Sequence, residues 1–498
     1  MKYAIAVLDI GMTNKKVFVY DDRLKVVDSI SRTFDPIIVN GIETNDLAAI
    51  ETWFYKNLSA FARKYPVMVI AVTTHGASFV CVDVNGDPCV PCVYYTHDPG
   101  AGLHDRFYKL LGSPAELQKS TGTPNLSLMI NPTKGMLFAK ETFPAEFSRT
   151  KQILFYPQYW GFRLTGNAGL EPTYVGCHTY LWDYAKGTYS VVADKLGIKK
   201  MLPEKLEKSW SVLGKVKPGL AVRLGLDPET IVTMGIHDSN ASLLPYLAKQ
   251  GDRDFVLDST GSWCVVMHPT KKFGFEPDDI GKVVFFNQSA MITPVKTAIF
   301  TGGLEFDLYS TLLRKLNATN EFPPYRPELY RKILAEKRLF ILPELIPGSG
   351  QFASAQPRIM EDGKVFPLED VKAGKAVPEF FSDYPVAVAV LNLSLVIQTT
   401  VALRRVGLKD GSDIYVEGGF RKNTDYNSLL ASWYGKSKVC LTNIKEATSF
   451  GAAMTGKMAY EGVTLESVAN DFEIDFDVVG KEDFADFKPY IDRFLELA

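Results

Sequence analysis

Cysteine is scarce in this chain, six in 498 residues, and the six are scattered. That excludes a small disulfide-stapled scaffold and makes a reducing cytoplasm the expected location. Cys89-x-x-Cys92 has no second pair and sits among prolines, so its spacing gives no zinc site. Net charge is almost missing, at −2, which excludes a strongly basic nucleic-acid surface or a charged membrane-binding face. A secretory leader is not expected: the apolar run Tyr3–Leu8 is too short and Asp9 interrupts it. The longest apolar stretch, 386–403, is broken by Asn392, Ser394 and Gln398. It follows Ser382-Asp383 and Pro385 and ends at Arg404-Arg405 before Gly407. Those are helix start and stop signals, so a buried core helix is expected rather than a membrane span. Histidine is as rare as cysteine, with six, and low-complexity segments are absent.

What is present points to a soluble enzyme. At 498 residues and 46% hydrophobic content the chain is too long for one core, and two domains are expected. Residues 3–20, YAIAVLDIGMTNKKVFVY, read as a β-hairpin with a turn suited to phosphate. Gly11 lets backbone approach a ligand, and the turn N–H groups with Thr13 and Lys16 can face an anion. Asp9 beside them suits a Mg²⁺ ion held between carboxylate and phosphate. Asp-x-Gly after a strand is also a common turn. Residues 256–267, VLDSTGSWCVVM, repeat the tripeptide Val7-Leu8-Asp9 as Val256-Leu257-Asp258, again ahead of a small polar turn. Two such hairpins suggest an internal duplication, with each lobe offering a loop to one polyphosphate.

Strand and helix signals alternate along the chain. Strands are expected at 67–73 and 79–84, the latter closing a hairpin through Asn85-Gly86 against 90–95. Amphipathic helices are expected at 46–64 and 133–142. A short strand at 231–235 leads into a turn, with a helix from Ala241. Gly251-Asp252-Arg253-Asp254 is a charged break, placed as the boundary between lobes 1–250 and 251–498. Strands at 283–300, the pair Gly302-Gly303, a loop at 343–350, the 386–405 helix and a strand at 414–417 follow.

Two further junctions carry chemistry. Gly235-Ile236-His237-Asp238-Ser239 is a strand-to-helix turn that can aim Asp238 into an interlobe cleft. Phosphoryl transfer to an alcohol needs such a carboxylate to orient the hydroxyl and accept its proton. The plainer role for Asp238 is a helix N-cap. Tyr415-Val416-Glu417-Gly418-Gly419-Phe420-Arg421-Lys422-Asn423 is a strand, a glycine pair and a helix start, which allows a flat ligand such as a purine close to the backbone.

Taken in order, these motifs, ending in Glu446-Ala447-Thr448-Ser449-Phe450-Gly451-Ala452-Ala453, resemble the FGGY carbohydrate kinases of the actin/hexokinase/Hsp70 superfamily. The resemblance runs through essentially the whole chain. It implies an α/β fold of two actin-like (ribonuclease H-like) lobes, each a mixed sheet flanked by helices, with ATP and sugar meeting in the cleft. It makes Asp238 the catalytic base and Asp9 the residue that positions Mg²⁺ through water. It places Gly11, Thr13, Asn14 and Lys16 in the first phosphate loop, and Thr260, Gly261 and Ser262 in the second. Gly418, Gly419 and Asn423 match the adenosine motif, with Gly302 and Gly303 near the nucleotide. Met12 stands where the family usually has Thr, Lys16 where Arg is frequent, and Phe420 where a third glycine is usual.

The sugar end is less typical. Thr74-His75-Gly76-Ala77 and Tyr94-Tyr95-Thr96-His97-Asp98 stand where the family often carries Gly-Gln and Trp-x-Asp-x-Arg. His75, Gly76, Asp98, Tyr159, Glu171, Thr173, His237 and Asp238 are therefore the expected substrate set. Glu171-x-Thr173 gives a distant likeness to the rhamnulose kinases. Of the six histidines, His75, His97, His178 and His237 fall in or beside these motifs, and imidazole suits polyol hydroxyls. Metal and purely structural roles are the competing readings, and no His-x-x-x-His spacing supports a metal.

The expected activity is ATP- and Mg²⁺-dependent phosphorylation of a small ketose or polyol such as rhamnulose, fuculose, xylulose or ribulose. The alternative is a nucleotide-binding regulator or chaperone-like ATPase on the same fold. The expected partners are a small-molecule sugar and ATP, without nucleic acid or membrane, and a homodimer is the assembly left open.

Overall fold

A computed structural model of the chain describes residues 1–100, 102–352 and 355–498. Two mixed seven-stranded sheets carry it, each flanked by helices. The first runs, in spatial order, Val212–Lys215, Ile231–Thr233, Val67–Thr74, Ala4–Ile10, Asn14–Asp21 and Val26–Thr33, with Ile236–His237 paired to Val67–Thr74. The second runs Val284–Gln288, Pro294–Phe300, Cys264–Pro269, Phe255–Thr260, Asp413–Gly418, Val439–Thr442 and Phe476–Val478. This is the expected two-lobed α/β architecture.

Both sheets share one wiring. The first strand of each opening hairpin pairs antiparallel with its second strand and parallel with a later one. Ala4–Ile10 lies between Asn14–Asp21 and Val67–Thr74. Phe255–Thr260 lies between Cys264–Pro269 and Asp413–Gly418. A further parallel strand follows outside each, Ile231–Thr233 and Val439–Thr442. Central strands covered on both faces read as continuous apolar runs, and Ala4–Ile10 is buried at every residue.

Register separates the two copies of the tripeptide. Asp9 stands two residues before Gly11, whereas Asp258 stands three before Gly261. Ile10 pairs with Thr74 and Thr260 with Gly418, each the last residue of its parallel partner strand. Aligned that way, Asp9 corresponds to Ser259 and Asp258 to Leu8. A one-residue offset turns a side chain to the opposite face of a sheet, so the two aspartates are not equivalent.

Two helices join the halves. Asp238–Gln250 packs against Ala447–Glu461, which also lies on strands Ala4–Ile10 and Val67–Thr74 of the first sheet. Gly451 is needed at the crossing, because a Cβ there would overlap the Ala241 carbonyl. The late helix thus returns to the first lobe, and Tyr20 Oη and Ser449 Oγ, 2.7 Å apart, tie it down. Helix Tyr384–Arg405 is long and apolar enough to cross a membrane, but 94% of its apolar window is buried in the second lobe. Asp383 caps it by accepting from the Val386 N–H.

The expected hairpin between 79–84 and 90–95 forms only near its turn, where Val82 bridges Pro88 antiparallel and the Cys89 N–H donates to the Cys81 carbonyl at 2.9 Å. Asn85-Gly86 does turn the chain, with Gly86 at φ +81°, and the Asp83 N–H donates to the Asp87 carbonyl at 2.9 Å. The longer ladder of strand Phe79–Val82 is with Gln152–Phe155. Pro88 and Pro91 in the returning segment have no N–H to offer a ladder. The helix expected from Ala241 starts earlier, at Asp238.

Candidate active site

The turn after Ile231–Thr233 places His237 at the N-cap and Asp238 as the first helical residue, so Asp238 is not the cap. Its Oδ1 accepts from the Ser239 N–H at 2.6 Å and from Ser239 Oγ at 3.2 Å. About a third of the side chain, 32%, stays open. Burial of the surroundings raises its pKa, and His75 opposes that rise.

Asp9 lies across the ladder from Lys16. Burial pushes its carboxyl up to about 7; Lys16 pulls it down, while Asp238 and Glu446 push it further up. Three acids therefore share one region with one lysine, and Lys16 Nζ is paired with Glu446 at 2.8 Å. An excess of carboxylate over cation suits a divalent metal, so the residues present fit Mg²⁺. In the turn, Thr13 and Asn14 are exposed. The Thr13 carbonyl accepts from the Phe34 N–H, and Asn14 Oδ1 from Thr33 Oγ1 at 2.9 Å. Lys15, which sequence reasoning passed over, is wholly buried below the turn and donates to the Met12 carbonyl at 2.6 Å.

The turn expected to be the second phosphate loop is assembled from backbone. Gly418 has φ +79°, and a Cβ on it would overlap the Thr260 carbonyl. A Cβ on Gly303 would overlap the Gly261 carbonyl, and the Leu304 N–H donates to Ser262 O at 3.1 Å. Gly302 opens the helix Gly302–Asn317. Loops 260–262, 302–304 and 418–420 thus meet, and only glycine permits that spacing. Thr260 Oγ1 is committed within this weld, donating to the Glu417 carbonyl and accepting from the Phe420 N–H. Asn423 caps helix Thr424–Trp433 through the Tyr426 N–H at 3.0 Å and donates to Asn392 Oδ1 at 2.7 Å. Beside it lies a cavity of about 360 Å³ lined by Phe306, Phe322, Tyr325, Gly419 and Asn423. Phe420, in place of the third glycine, is buried against Tyr426 and Phe306, with ring centroids 4.9 and 5.6 Å away.

At the sugar end the structure brings together His75, Gly76 and His237, and adds Cys177 and His178. His75 Nδ1 contacts the Gly76 carbonyl at 2.7 Å, its Nε2 has no partner, and its ring lies beside Tyr156 and Tyr95. Burial lowers His75 to about 4 and His178 and His237 to about 3, so all three imidazoles are neutral. Glu171 is wholly buried and fully engaged. It accepts from the N–H groups of Thr173 and Tyr174, from Thr173 Oγ1 at 2.7 Å and from Ser209 Oγ at 2.8 Å. Thr173 Oγ1 in turn accepts from the His237 N–H at 2.9 Å. These two residues hold the backbone next to Asp238. Tyr159 lies apart, in the first-lobe core against Trp160. Asp98 is exposed and accepts from the Gly100 N–H, as a turn-former does. His97 packs on Phe138. No sequence spacing flags the Cys177–His178 pair, because its partner His237 comes from a distant segment.

The geometry has a family. Residues 4–245 match the FGGY family of carbohydrate kinases, N-terminal domain, and residues 252–464 match carbohydrate kinase FGGY, C-terminal domain. The chain belongs to the FGGY carbohydrate kinases and is a sugar kinase. As a family, carbohydrate kinases use ATP with Mg²⁺. The chain is 22% identical over 438 residues to a rhamnulokinase of Oceanobacillus iheyensis, covering 81% of each. Its fold is similar to that of a carbohydrate kinase from Novosphingobium aromaticivorans, with TM-score 0.79, 25% identity and coverage of 99% and 98% of the two chains. A xylulose kinase from Lactobacillus acidophilus, at TM-score 0.78, 17% identity and 99% and 96% coverage, shares the fold.

Proposed function

We propose that this kinase transfers the γ-phosphoryl group of ATP to a hydroxyl of an uncharged ketose or polyol. Rhamnulose is the first candidate, with fuculose, xylulose and ribulose next. The observation that carries this reading is Asp238, partly open at a helix start and flanked by neutral imidazoles. Asp238 takes the acceptor hydroxyl proton as that oxygen bonds to the γ-phosphorus and the bond to the ADP oxygen breaks. Glu171 and Thr173 act as positioning residues through the His237 backbone. Asp9 is the residue that would hold Mg²⁺, which neutralises charge on the phosphates. Gly11, Thr13, Asn14 and Lys16 face the phosphates from the first lobe. Gly261 and Ser262 do so from the second, supported by Thr260, Gly302 and Gly303. The cavity beside Gly418, Gly419 and Asn423 takes the adenosine. Lobe one ends near 250, apart from the returning helix Ala447–Glu461, and the protein works in the cytoplasm.

Three neutral imidazoles favour an uncharged acceptor over a sugar acid, and the likeness to rhamnulokinases puts rhamnulose ahead. ADP release over a panel of ketoses, aldoses, polyols and aldonic acids tests this. One ketose or polyol should exceed the rest by about tenfold or more in kcat/KM. Turnover confined to aldonic acids would overturn it.

A further inference from the structure

Cys177, His178 and His237 converge in a buried triangle beside Asp238 whose sulfur has no part in the proposed phosphoryl transfer. Cys177 Sγ lies 3.8 Å from His237 Nε2. One ligand atom from each of the three falls within 4.8 Å of the others. The Nε2 atoms of His237 and His178 lie 2.6 and 2.9 Å from where a Cβ on Gly76 would stand, so both ring nitrogens pack against Gly76 at a distance only glycine allows. Cys177, His178 and His237 are 3%, 8% and 4% exposed. Nδ1 of each imidazole is buried without a hydrogen-bond partner, and the His237 Nδ1 faces Asp238 Oδ1 at 3.5 Å.

The triangle is built rather than incidental. His178 holds φ +43°, a left-handed backbone uncommon outside glycine. Here Asn131 Nδ2 donates to the His178 carbonyl and Thr133 Oγ1 to the Thr179 carbonyl, each at 2.9 Å. His237 is fixed from the other side by Thr173.

We propose that Cys177, His178 and His237 form a three-ligand site for a borderline-soft divalent cation of the zinc class. One sulfur and two imidazole nitrogens are a zinc donor set, and a fourth position left to water or substrate is usual when the protein supplies three ligands. Bonds of about 2.1 and 2.3 Å put tetrahedral ligand atoms roughly 3.4–3.7 Å apart, close to the present Sγ–Nε2 separation. Metal binding takes both imidazoles in their neutral form. The Cys177 thiol binds as thiolate, so the cation must displace its proton into solvent. The Asp238 carboxylate facing Nδ1 supplies the outer partner that orients a metal-bound histidine.

The test is titration of the full chain with Zn²⁺ alone, without sugar or nucleotide, and with Co²⁺ as a visible probe. One equivalent should bind, and Co²⁺ should give a thiolate-to-metal charge-transfer band. Cys177→Ser should remove that band and weaken Zn²⁺ binding by about 10–100-fold. His178→Asn, which suits the left-handed backbone, should weaken it comparably while the melting temperature in chelator stays near that of the unchanged protein. The proposal is overturned if the unchanged protein binds no stoichiometric Zn²⁺ at micromolar concentration. It is equally overturned if binding persists in the variants. Should Cys177→Ser fail to fold, the unchanged protein and His178→Asn decide. The kinase reading is judged separately, by ADP release in chelator-treated buffer with added Mg²⁺.

Discussion

In the first hairpin Asp9 sits at the sheet's end with Lys16 across the ladder and Asp238 and Glu446 in electrostatic reach. In the second, Asp258 is wholly buried, and Tyr426 Oη donates to its Oδ2 at 2.6 Å. The position matching Asp9 is Ser259, whose hydroxyl donates to Glu417 at 2.8 Å. The first turn therefore gathers charge, and the second closely packed backbone. A shared wiring has been divided between two tasks, and a one-residue offset is enough to do it.

The largest expected effect tests the charged lobe. Asp238→Asn should lower kcat by about 10²–10⁴-fold while ATP binding stays intact, because the amide cannot accept the hydroxyl proton. Single-turnover rates and nucleotide binding measured together check this; a kcat above a tenth of the original would sink the base assignment. Asp9→Asn should come next, with kcat/KM for MgATP down about 10–100-fold and a raised Mg²⁺ requirement. Mg²⁺ titration at fixed ATP checks it, and an unchanged requirement would reduce Asp9 to a turn residue.

The glycines test the backbone lobe. Gly418→Ala combines φ +79° with overlap on the Thr260 carbonyl, so stability should fall by about 2–4 kcal/mol. At Gly11 the backbone is not left-handed, and a Cβ would meet Asn14 O at 3.0 Å, which a turn can relieve. Gly11→Ala should cost about 1 kcal/mol or less. Urea unfolding of both variants checks the contrast; equal losses would mean the second turn is no tighter than the first.

How much of this was legible in the sequence follows from the range of each constraint. The hairpins, the core helix 384–405 and the order of motifs rest on local patterns, and these are where the chain puts them. The twofold wiring was visible too, but the matching tripeptide pointed to the wrong pair of residues. Only the strand ends, Thr74 and Gly418, reveal the offset. Glu171 and Thr173 were read as sugar ligands, whereas their hydrogen bonds run to each other, to Ser209 and to the His237 backbone. Tyr159 was placed in the pocket by chain order, but its helix turns it into the core beside Trp160. Convergence of Cys177 and His178 on His237 depends on tertiary packing, which no spacing rule encodes. The short reach of the hairpin at 79–95 was legible after all, since Pro88 and Pro91 lack the N–H groups a longer return strand needs.

Asp258→Asn carries the smallest effect and separates the two hairpins most finely. Asp258 does not correspond to Asp9, so kcat and the Mg²⁺ requirement should stay unchanged. Stability should respond through pH instead. Burial pushes the Asp258 carboxyl up to about 7, against an ordinary value near 4 in the unfolded chain. A carboxyl raised on folding contributes stability that is fully present below the unfolded value and is lost as pH rises through the folded one. Asparagine has no such contribution to lose. The stability of the variant, relative to the unchanged protein, should therefore rise from pH 5 to pH 8, by an amount on the order of 1 kcal/mol or more. Asp258 Oδ1 has no hydrogen-bond partner, so the new amide group meets no acceptor and adds a penalty, but that penalty is the same at every pH. Glu417 is pushed up by Asp258, so relieving that repulsion acts in the same direction. Thermal melts of both proteins at pH 5, 6, 7 and 8 read the slope directly. A difference that does not change with pH would mean Asp258 titrates alike in the folded and unfolded chain. A fall in kcat would mean the second hairpin carries charge to the phosphates after all.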